Sequence, residues 1–427
     1  MRIWYGILWL CAFALGHLGA FPQASVAVTF YVATTGNDSH PGTAAQPWAT
    51  LQRAANVVNP GDMVVVQAGH YRGAKFSRSG TATAPITFNG QAGAVIDSPG
   101  TLNTNNDHLW IRNANYIILE GFEIVAAPRA GIAIQGEPNA PATGHVLRHN
   151  FSHHNGVWGI FTGYAQNVVI EDNETSFSGA EHGIYVSNSA DNPVIRGNVV
   201  HHNHASGIQI NADPFLPGDG IITLAIIEDN IIYENGVGGG AAINLASVRQ
   251  AKIRNNLLYN NHASGIAGWD DGAGPQFGSK NNRILNNTIV MATDGRFAVV
   301  LMNGSTGNKV YNNILLHPGT RGSIEIDQSS RKNFVSDYNL VNNRFSLNDQ
   351  FISLAQWRAQ GYDAHAILAP ALAAVFVAPS AADYRLTPGS PAIDTGLTLS
   401  GVRHDLAGQL RPQGAAYDMG AYETAAP

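Results

Sequence analysis

The sequence predicts an all-β protein that winds as one continuous parallel solenoid with a cap at each end. Three observations predict it: a repeat of about 25 residues, apolar alternation of period two within each repeat, and no helical periodicity between repeats. Only 13% of the 427 residues are charged, and 44% are hydrophobic. This composition is too apolar for a disordered chain, and the net charge of −6 argues against a nucleic-acid partner.

The first 26 residues form a predicted signal peptide. Arg2 precedes an apolar run over residues 3–18 that is too short for a membrane span, and cleavage is expected between Ala20 and Ala27. The only cysteine, Cys11, lies in this segment, which excludes a disulfide, a zinc–thiolate site and a cysteine nucleophile in the mature chain. We therefore expect a secreted protein, extracellular or periplasmic, without a membrane-spanning segment.

Short apolar strands in the middle of the chain each end in an asparagine. The copies end at Asn150, Asn173, Asn198, Asn230, Asn256, Asn287, Asn313 and, more weakly, Asn339. Such repeats must stack, because each can bury its apolar face only against its neighbours. We expect the asparagines to occupy tight turns, where they tolerate left-handed dihedrals, and their stacked amides to bond one another along the solenoid axis.

A second phrase, which begins Gly-Ile, recurs in phase with the asparagines. Copies begin at Gly131, Gly159, Gly183, Gly207 and Gly265, and looser copies at Ala242 and Ser323. Because the phrase alternates with period two, its isoleucines point inward and the residues that follow them point outward. The predicted outward ladder is Ala133, Phe161, Tyr185, Gln209, Asn244 and Ala267.

A third ladder alternates in charge on the strand that precedes the asparagine turn. Its members are Arg148, Glu171, Arg196, Glu228 and Arg254. Opposite charges on neighbouring stacked strands stabilise a sheet, so we assign this ladder to structure.

The repeats resemble the right-handed parallel β-helix of the pectate-lyase-like superfamily, and the opening of the chain agrees. The motifs Phe30-Tyr31-Val32, Gly36-Asn37-Asp38, Trp48-Ala49-Thr50-Leu51-Gln52 and Pro60-Gly61-Asp62 are typical of its first coil. Residues 50–58 have helical spacing and are expected to form a capping helix. The resemblance implies a secreted, single-stranded right-handed parallel β-helix.

The end of the chain changes character after Asn348, the last asparagine. Residues 351–360 are expected to form a short helix, and the closing phrase Asp418-Met419-Gly420-Ala421-Tyr422-Glu423 resembles the C-terminal segment of secreted bacterial β-helix proteins. We assign Asp394 and Asp418 to structure rather than to catalysis. The predicted organisation is a signal peptide over 1–26, a β-helix over 27–348 and a C-terminal capping segment over 349–427.

In this superfamily a polysaccharide lies along the first strand of each coil, and the Gly-Ile phrase matches that strand. The resemblance therefore implies substrate binding by Trp158, Phe161, Gln209, Asn211, Asn244 and Trp269. Two insertions, residues 211–224 and 269–280, follow this strand, and long loops in a short-turn solenoid are usually functional. They carry the acids Asp213, Asp219, Asp270 and Asp271.

Side chains around these insertions supply the groups that sugar chemistry requires. The candidate catalytic residues are His182, Tyr185, Lys280, Asp270 and Asp271. Asp213, Asp219 and Glu181 are candidate ligands for a hard cation such as calcium, and no organic cofactor is expected.

We therefore expect a monomeric, secreted carbohydrate-active protein whose partner is a polysaccharide. The leading hypothesis is a lyase that cleaves a uronic-acid polymer, of the pectate or alginate type, by β-elimination. One alternative is a glycoside hydrolase, with Asp213 and the pair Asp270 and Asp271 roughly 10 Å apart along the axis. A C5-epimerase and a non-catalytic carbohydrate-binding protein are the others; Asp213-Pro214-Phe215 resembles the Asp-Pro-His segment of alginate epimerases, with Phe215 in place of the histidine.

Overall fold

Three parallel sheets of twelve strands each form the walls of a solenoid in the computed structural model. The structure describes residues 27–425, so the expected signal peptide and Cys11 lie outside the described residues. Each coil contributes one strand to each sheet in the chain order A, B, C, which confirms the predicted parallel β-helix. No helix within 27–425 is both long and apolar enough to cross a bilayer.

The strands of the three sheets are short, mostly three to six residues. Sheet A contains Thr29–Val32, Met63–Val66, Ile86–Gly90, Ile117–Glu120, Val146–Arg148, Val169–Glu171, Val194–Arg196, Ile226–Glu228, Lys252–Arg254, Arg283–Leu285, Lys309–Tyr311 and Val335–Asp337. Sheet B contains Gly69–Arg72, Ala94–Ser98, Glu123–Val125, Phe151–His153, Glu174–Ser176, Val199–His201, Ile231–Tyr233, Leu257–Tyr259, Thr288–Val290, Ile314–Leu316, Leu340–Val341 and Ile367–Leu368. Sheet C contains Ala74–Phe76, Leu109–Arg112, Ala130–Gln135, Trp158–Gly163, Ile184–Ser187, Ile208–Asn211, Ala241–Ala246, Ser264–Trp269, Val299–Leu301, Ile324–Ile326, Phe345–Leu347 and Gln350–Ile352.

Six further strands form three two-stranded sheets outside these walls. They are Ala142–Thr143 with Ala165–Gln166, Ile222–Thr223 with Val248–Arg249, and Phe376–Ala378 with Asp383–Leu386. Short 3-10 turns lie at Pro275–Phe277, Gln328–Ser330, Leu372–Ala374 and Pro379–Ala381.

One continuous apolar core fills the solenoid. The isoleucines of the Gly-Ile strands, such as Ile160, Ile184 and Ile208, are fully buried in it, as period two requires. Each coil stacks its apolar residues on those of the next, so the core has no boundary between repeats.

The recurring asparagines form a continuous ladder between sheets A and B. Each side-chain Nδ2 donates to Oδ1 of the asparagine one coil further on, at 2.9 to 3.1 Å from Asn150 through to Asn339. The predicted amide stacking is therefore confirmed. The left-handed dihedral, however, belongs to the preceding residue, such as Asp229 before Asn230, because the asparagine side chain must point inward to reach both neighbouring coils.

The charged ladder of sheet A is also present. It consists of ion pairs between adjacent coils, Glu171 with Arg196 at 2.5 Å and Glu228 with Arg254 at 2.6 Å, and it begins one coil earlier than predicted, at Glu120 with Arg148. These pairs sit on the outer face of the sheet and keep its strands in register.

A short helix closes each end of the solenoid. Helix α1, Leu51–Val57, buries Leu51, Ala54 and Ala55, and Thr50 caps it by accepting from the backbone of Arg53. Helix α2, Leu354–Ala359, starts three residues later than expected. Residues 350–352 form an antiparallel strand instead, and Ser353 begins the helix with a capping box.

The chain beyond α2 returns along the flank of the solenoid. Met419 and Phe376 pack against Ile314 and Leu316 on the outer face of sheet B. The Asn286 amide donates to the Asp418 carbonyl at 3.1 Å, so the segment is fixed to the turns beside the asparagine ladder. Asp418 itself accepts from the Asp394 backbone at 2.8 Å.

Candidate active site

The outward ladder predicted on the Gly-Ile strands is present on sheet C. Tyr185 pairs with Phe161 on one side and with Gln209 on the other, and Gln209 pairs in turn with Asn244. The ladder also extends beyond the prediction at both ends. This sheet C ladder runs through Lys75, Trp110, Ala133, Phe161, Tyr185, Gln209, Asn244, Ala267, Val300, Glu325 and Ser346.

The two insertions after sheet C meet at Asn211. Its Nδ2 donates to Asp213 Oδ1 at 3.0 Å and to Asp271 Oδ2 at 3.1 Å. These two carboxylate oxygens therefore lie within about 6 Å of each other. This is closer than the ~10 Å expected from two coil spacings alone, because both loops fold back over the strand ends.

Tyr185 is joined to this acidic pair. Its hydroxyl donates to Asp213 Oδ2 at 3.4 Å, and the Ser187 hydroxyl donates to the same oxygen at 2.6 Å. Burial raises the pKa of Tyr185, and the charge of Asp213 raises it further. The phenol thus keeps its proton at neutral pH and is suited to donate it rather than to accept one.

The neighbouring acids Asp270 and Asp271 have different environments. Asp270 is 4% exposed and accepts from the Gly272 and Gly274 backbones and from the Asn303 amide, so it holds the loop in shape. Burial raises the pKa of Asp271, and the charge of Asp213 adds to the shift. Asp271, and not Asp270, therefore has the environment of a proton carrier.

His182 does not present a free basic nitrogen. Its Nδ1 accepts from the Ser206 backbone at 3.1 Å, and burial lowers its pKa to about 4. Its ring lies 5.2 Å from that of Tyr185, edge to face, so it packs against the tyrosine. The expected role as base is replaced by a role in positioning Tyr185.

Lys280 lies on the far side of its loop. Nζ donates to the Gln276 carbonyl at 3.0 Å, and its backbone forms a bridge with Arg249 beside the small two-stranded sheet. Burial lowers the pKa of Lys280, and nearby Arg249 contributes. None of the hydrogen bonds of Lys280 within residues 27–425 connects it to the Tyr185–Asp213 group, so the expected lysine base is not brought to the site.

A chain of hydrogen bonds joins the expected amides and Trp269. Trp269 Nε1 donates to Asn244 Oδ1 at 3.0 Å, Asn244 Nδ2 donates to Gln209 Oε1 at 2.9 Å, and Ser206 donates to the same oxygen at 3.0 Å. Beyond it lies a cleft of about 400 Å³, which Asn244 and Trp269 line together with Arg296. This surface offers amide, indole and guanidinium groups to a ligand along sheet C.

The expected aromatic residues are arranged in two layers. Trp158 stacks on Phe161 with ring centroids 4.6 Å apart, and the Arg129 guanidinium lies 5.5 Å from the Phe161 ring. Phe161 is 7% exposed, so it supports Trp158 and is not the open stacking platform that was expected. Trp158 Nε1 donates to Glu181 at 2.8 Å, which fixes the indole.

The three residues expected to bind calcium are not brought together. Glu181 precedes its sheet C strand and bonds Trp158, Asp213 follows its strand, and Asp219 is exposed and accepts from the Ile221 backbone at 2.9 Å. Within residues 27–425, no group of three or more His, Cys, Asp or Glu side chains is arranged to hold a metal ion.

Sequence reasoning missed two residues of the site. Ser187 lies two positions after Tyr185 on the same face, so period two could have found it. Arg296 belongs to a loop two coils beyond Asn244, and no spacing in the sequence relates it to the cleft.

Comparisons with known proteins agree with this architecture. A family model described as the right-handed β-helix region of Pel9A-like proteins matches residues 30–176. The crystal structure of pectate lyase Pel9A superposes with a TM-score of 0.66 at 17% identity, over 93% of this chain and 97% of that one. A structure titled glycoside hydrolase gives a TM-score of 0.57 at 11% identity, over 75% and 95%. A search of curated proteins found no significant match. The chain is thus a right-handed parallel β-helix of the pectate-lyase type, with a Pel9A-like region in its first coils.

Proposed function

We propose that this protein is a secreted polysaccharide lyase that cleaves a uronic-acid polymer, of the pectate or alginate type, by β-elimination. The observation that carries the proposal is the hydrogen-bonded group Tyr185, Asp213, Asn211 and Asp271 at the edge of the sheet C ladder. It combines a phenol that keeps its proton with a carboxyl group whose pKa is raised. The Pel9A-like region in the first coils supports the same class of reaction.

The elimination needs a base and an acid at one sugar. Asp271 takes the proton from the carbon beside the uronate carboxylate, a double bond forms from that carbon to C4, and the C4–O bond breaks. Tyr185 gives its proton to the departing oxygen. A raised pKa makes Asp271 a better base than an ordinary aspartate, because base strength follows pKa.

The rest of the sheet C ladder would hold the polymer. The Arg296 guanidinium can pair with a uronate carboxylate through two parallel hydrogen bonds, and Asn244 and Trp269 lie in the same cleft. Lys75, 4.7 Å from the Trp110 ring, adds a positive charge near the other end. These groups favour an acidic polysaccharide over a neutral one.

Calcium remains a proposal without a defined place in this mechanism. The Asn211 amide donates to both carboxylates and occupies the space between them, and two carboxylates are few for an ion that takes six to eight oxygens. The residues fit a calcium site poorly, and no step above uses the ion. Comparing rates with added calcium and with a chelator tests whether the ion contributes.

The direct experiment is an activity panel on the purified mature protein. Pectate, alginate and other uronic polymers are supplied, and absorbance of the unsaturated product and reducing ends are followed in parallel. We expect both signals to rise together on at least one polymer, and both to be lost in Asp271→Asn. Asp219→Asn, which removes an exposed acid from the same pair of insertions, is the matched control and should keep the wild-type rate. Binding without either signal would contradict the proposal.

A glycoside hydrolase is the second candidate, and one observation favours it. Asp213 and Asp271 have oxygens within about 6 Å of each other, near the separations of paired glycosidase carboxylates. In that reaction Asp271 would be the general acid. Reducing ends that rise without the absorbance of an unsaturated product would favour hydrolysis.

A further inference from the structure

Two histidine pairs lie at the ends of sheet B strands, on a different wall from the sheet C ladder. His153 and His154 form the first pair, and His201 and His202 form the second, two coils further along. In both pairs the first histidine ends its strand, and the second has a positive φ, 53° in one and 54° in the other. The repeat thus places the same two imidazoles in the same turn twice.

The two rings of each pair point their Nδ1 atoms at one another. The distance between the Nδ1 atoms is 2.8 Å in both pairs. The other nitrogen of the first ring faces a glutamate one coil earlier, His153 Nε2 toward Glu123 at 3.3 Å and His201 Nε2 toward Glu174 at 3.1 Å. Each pair is therefore a string of carboxylate, imidazole and imidazole.

The glutamates decide which nitrogen of the first ring carries the proton. A carboxylate accepts hydrogen bonds, so Nε2 of His153 and of His201 is the protonated nitrogen, and their Nδ1 lone pairs face the second ring. Histidines that bind metals commonly donate their other N–H to a carboxylate in this way, which orients the ring and raises its basicity. Burial also lowers the pKa of His153 and of His202, which favours the neutral rings that bind metals.

We propose that each histidine pair chelates one divalent transition-metal ion, such as Zn²⁺, through its two Nδ1 atoms. Imidazole nitrogens prefer zinc, copper and nickel over calcium or magnesium. Each pair provides two protein ligands, so water completes the coordination shell. His154 and His202 are exposed, which leaves both positions open to solvent.

The surrounding structure holds the rings in place before an ion arrives. Phe177 lies between the pairs and stacks on His154 at 4.7 Å and on His202 at 5.0 Å. Tyr233 stacks on His201 at 4.7 Å. A preorganised pair loses less side-chain entropy on binding than two free histidines would.

Calorimetric titration of the full mature chain with Zn²⁺ tests the proposal. We expect two ions per chain for the wild type, one for His154→Asn or His202→Asn, and none for the double variant. Asparagine tolerates the positive φ, and Asn260 already occupies the equivalent turn with φ 50°, so these variants should fold. His70→Asn removes a histidine that faces only Asp97 and should still bind two ions.

Cu²⁺ provides a second readout at the same sites. Its electron paramagnetic resonance spectrum should show coupling to two imidazole nitrogens in each single variant and lose it in the double variant. Glu174→Ala should weaken zinc binding at the second pair by about 10-fold or more, because it removes the carboxylate that orients His201. Equal zinc binding by wild type and double variant, both folded by circular dichroism, would overturn the proposal and leave each pair a shared-proton contact.

Discussion

At the scale of single residues, environment separates side chains that look equivalent in the sequence. Asp270 and Asp271 are adjacent, yet the first accepts three hydrogen bonds and stabilises its loop, whereas the second faces Asn211 and has a raised pKa. His182 and Tyr185 show the same contrast. The ring of His182 stays neutral and buried, and the hydroxyl of Tyr185 reaches Asp213.

Replacing Tyr185 by phenylalanine tests the proposed acid. The ring and its packing against His182 remain, but the proton that would go to the leaving oxygen is lost. We expect kcat to fall about 100-fold or more, with the free energy of unfolding changed by about 1 kcal/mol or less. Steady-state kinetics and urea unfolding measure the two quantities. A wild-type rate in this variant would remove Tyr185 from the mechanism.

Residue-level prediction from the sequence succeeded where period two applies and failed where loops fold. The order and outward direction of Phe161, Tyr185, Gln209 and Asn244 followed from alternation. The contact of Asn211 with Asp271 did not, because sixty residues separate them and only the folding of two insertions brings them together.

At the scale of elements, the asparagine ladder is the main polar support of the solenoid interior. Asn230 accepts from the backbone and side chain of Asn198 and donates to Asn256 and to the Ile195 carbonyl. Its removal leaves buried polar groups of both neighbouring coils unpaired. The repeat of asparagines predicted this ladder, since only their stacking explains why the residue recurs at one place in each coil.

Asn230→Ala should therefore be strongly destabilising. An unpaired buried hydrogen-bonding group costs about 1–3 kcal/mol, so we expect the free energy of unfolding to fall by about 3 kcal/mol. Urea denaturation followed by circular dichroism measures it. Asn56→Ala, on the exposed face of helix α1, is the control and should change stability by about 0.5 kcal/mol or less. A similar loss in both variants would contradict the structural role of the ladder.

At the scale of the whole molecule, the returning C-terminal segment depends on a buried ion pair. Arg411 and Glu423 are 2.6 Å apart, and both side chains are fully buried. Burial raises the pKa of Glu423 and lowers that of Arg411, so each charge relies on the other. The sequence marked this segment as structural, but its position along the flank, rather than only at the end, depends on contacts with Ile314 and Asn286 that no local pattern encodes.

Glu423→Ala should release this segment from the flank. The variant leaves Arg411 charged and buried without its partner, which costs about 3–5 kcal/mol. We expect limited proteolysis to cut beyond residue 370 much faster than in the wild type, while the core of the solenoid resists. Glu137→Ala, which removes a half-exposed partner of Arg112, is the control and should leave the cleavage rate unchanged. Equal cleavage in Glu423→Ala and wild type would contradict the pair's role.

Buried histidines make the stability of the molecule depend on pH. Burial lowers the pKa of His145 to about 4 in the folded chain, against about 6.5 when unfolded. Between these values the unfolded chain binds the proton and the folded chain does not, so stability falls as the pH falls. The stability difference between wild type and His145→Gln should shrink by about 2 kcal/mol from pH 7 to about pH 5, by urea unfolding. A difference that stays constant with pH would show that His145 titrates normally.

The most direct test of the central claim is the mass of the products made in water labelled with a heavy oxygen isotope. The digest is run on the uronic polymer that the activity panel identifies, and the oligosaccharides are analysed by mass spectrometry. β-Elimination by Tyr185 and Asp271 predicts unsaturated products into which cleavage introduces no labelled oxygen. Saturated products with one labelled oxygen per cleaved bond would show hydrolysis and contradict the lyase mechanism.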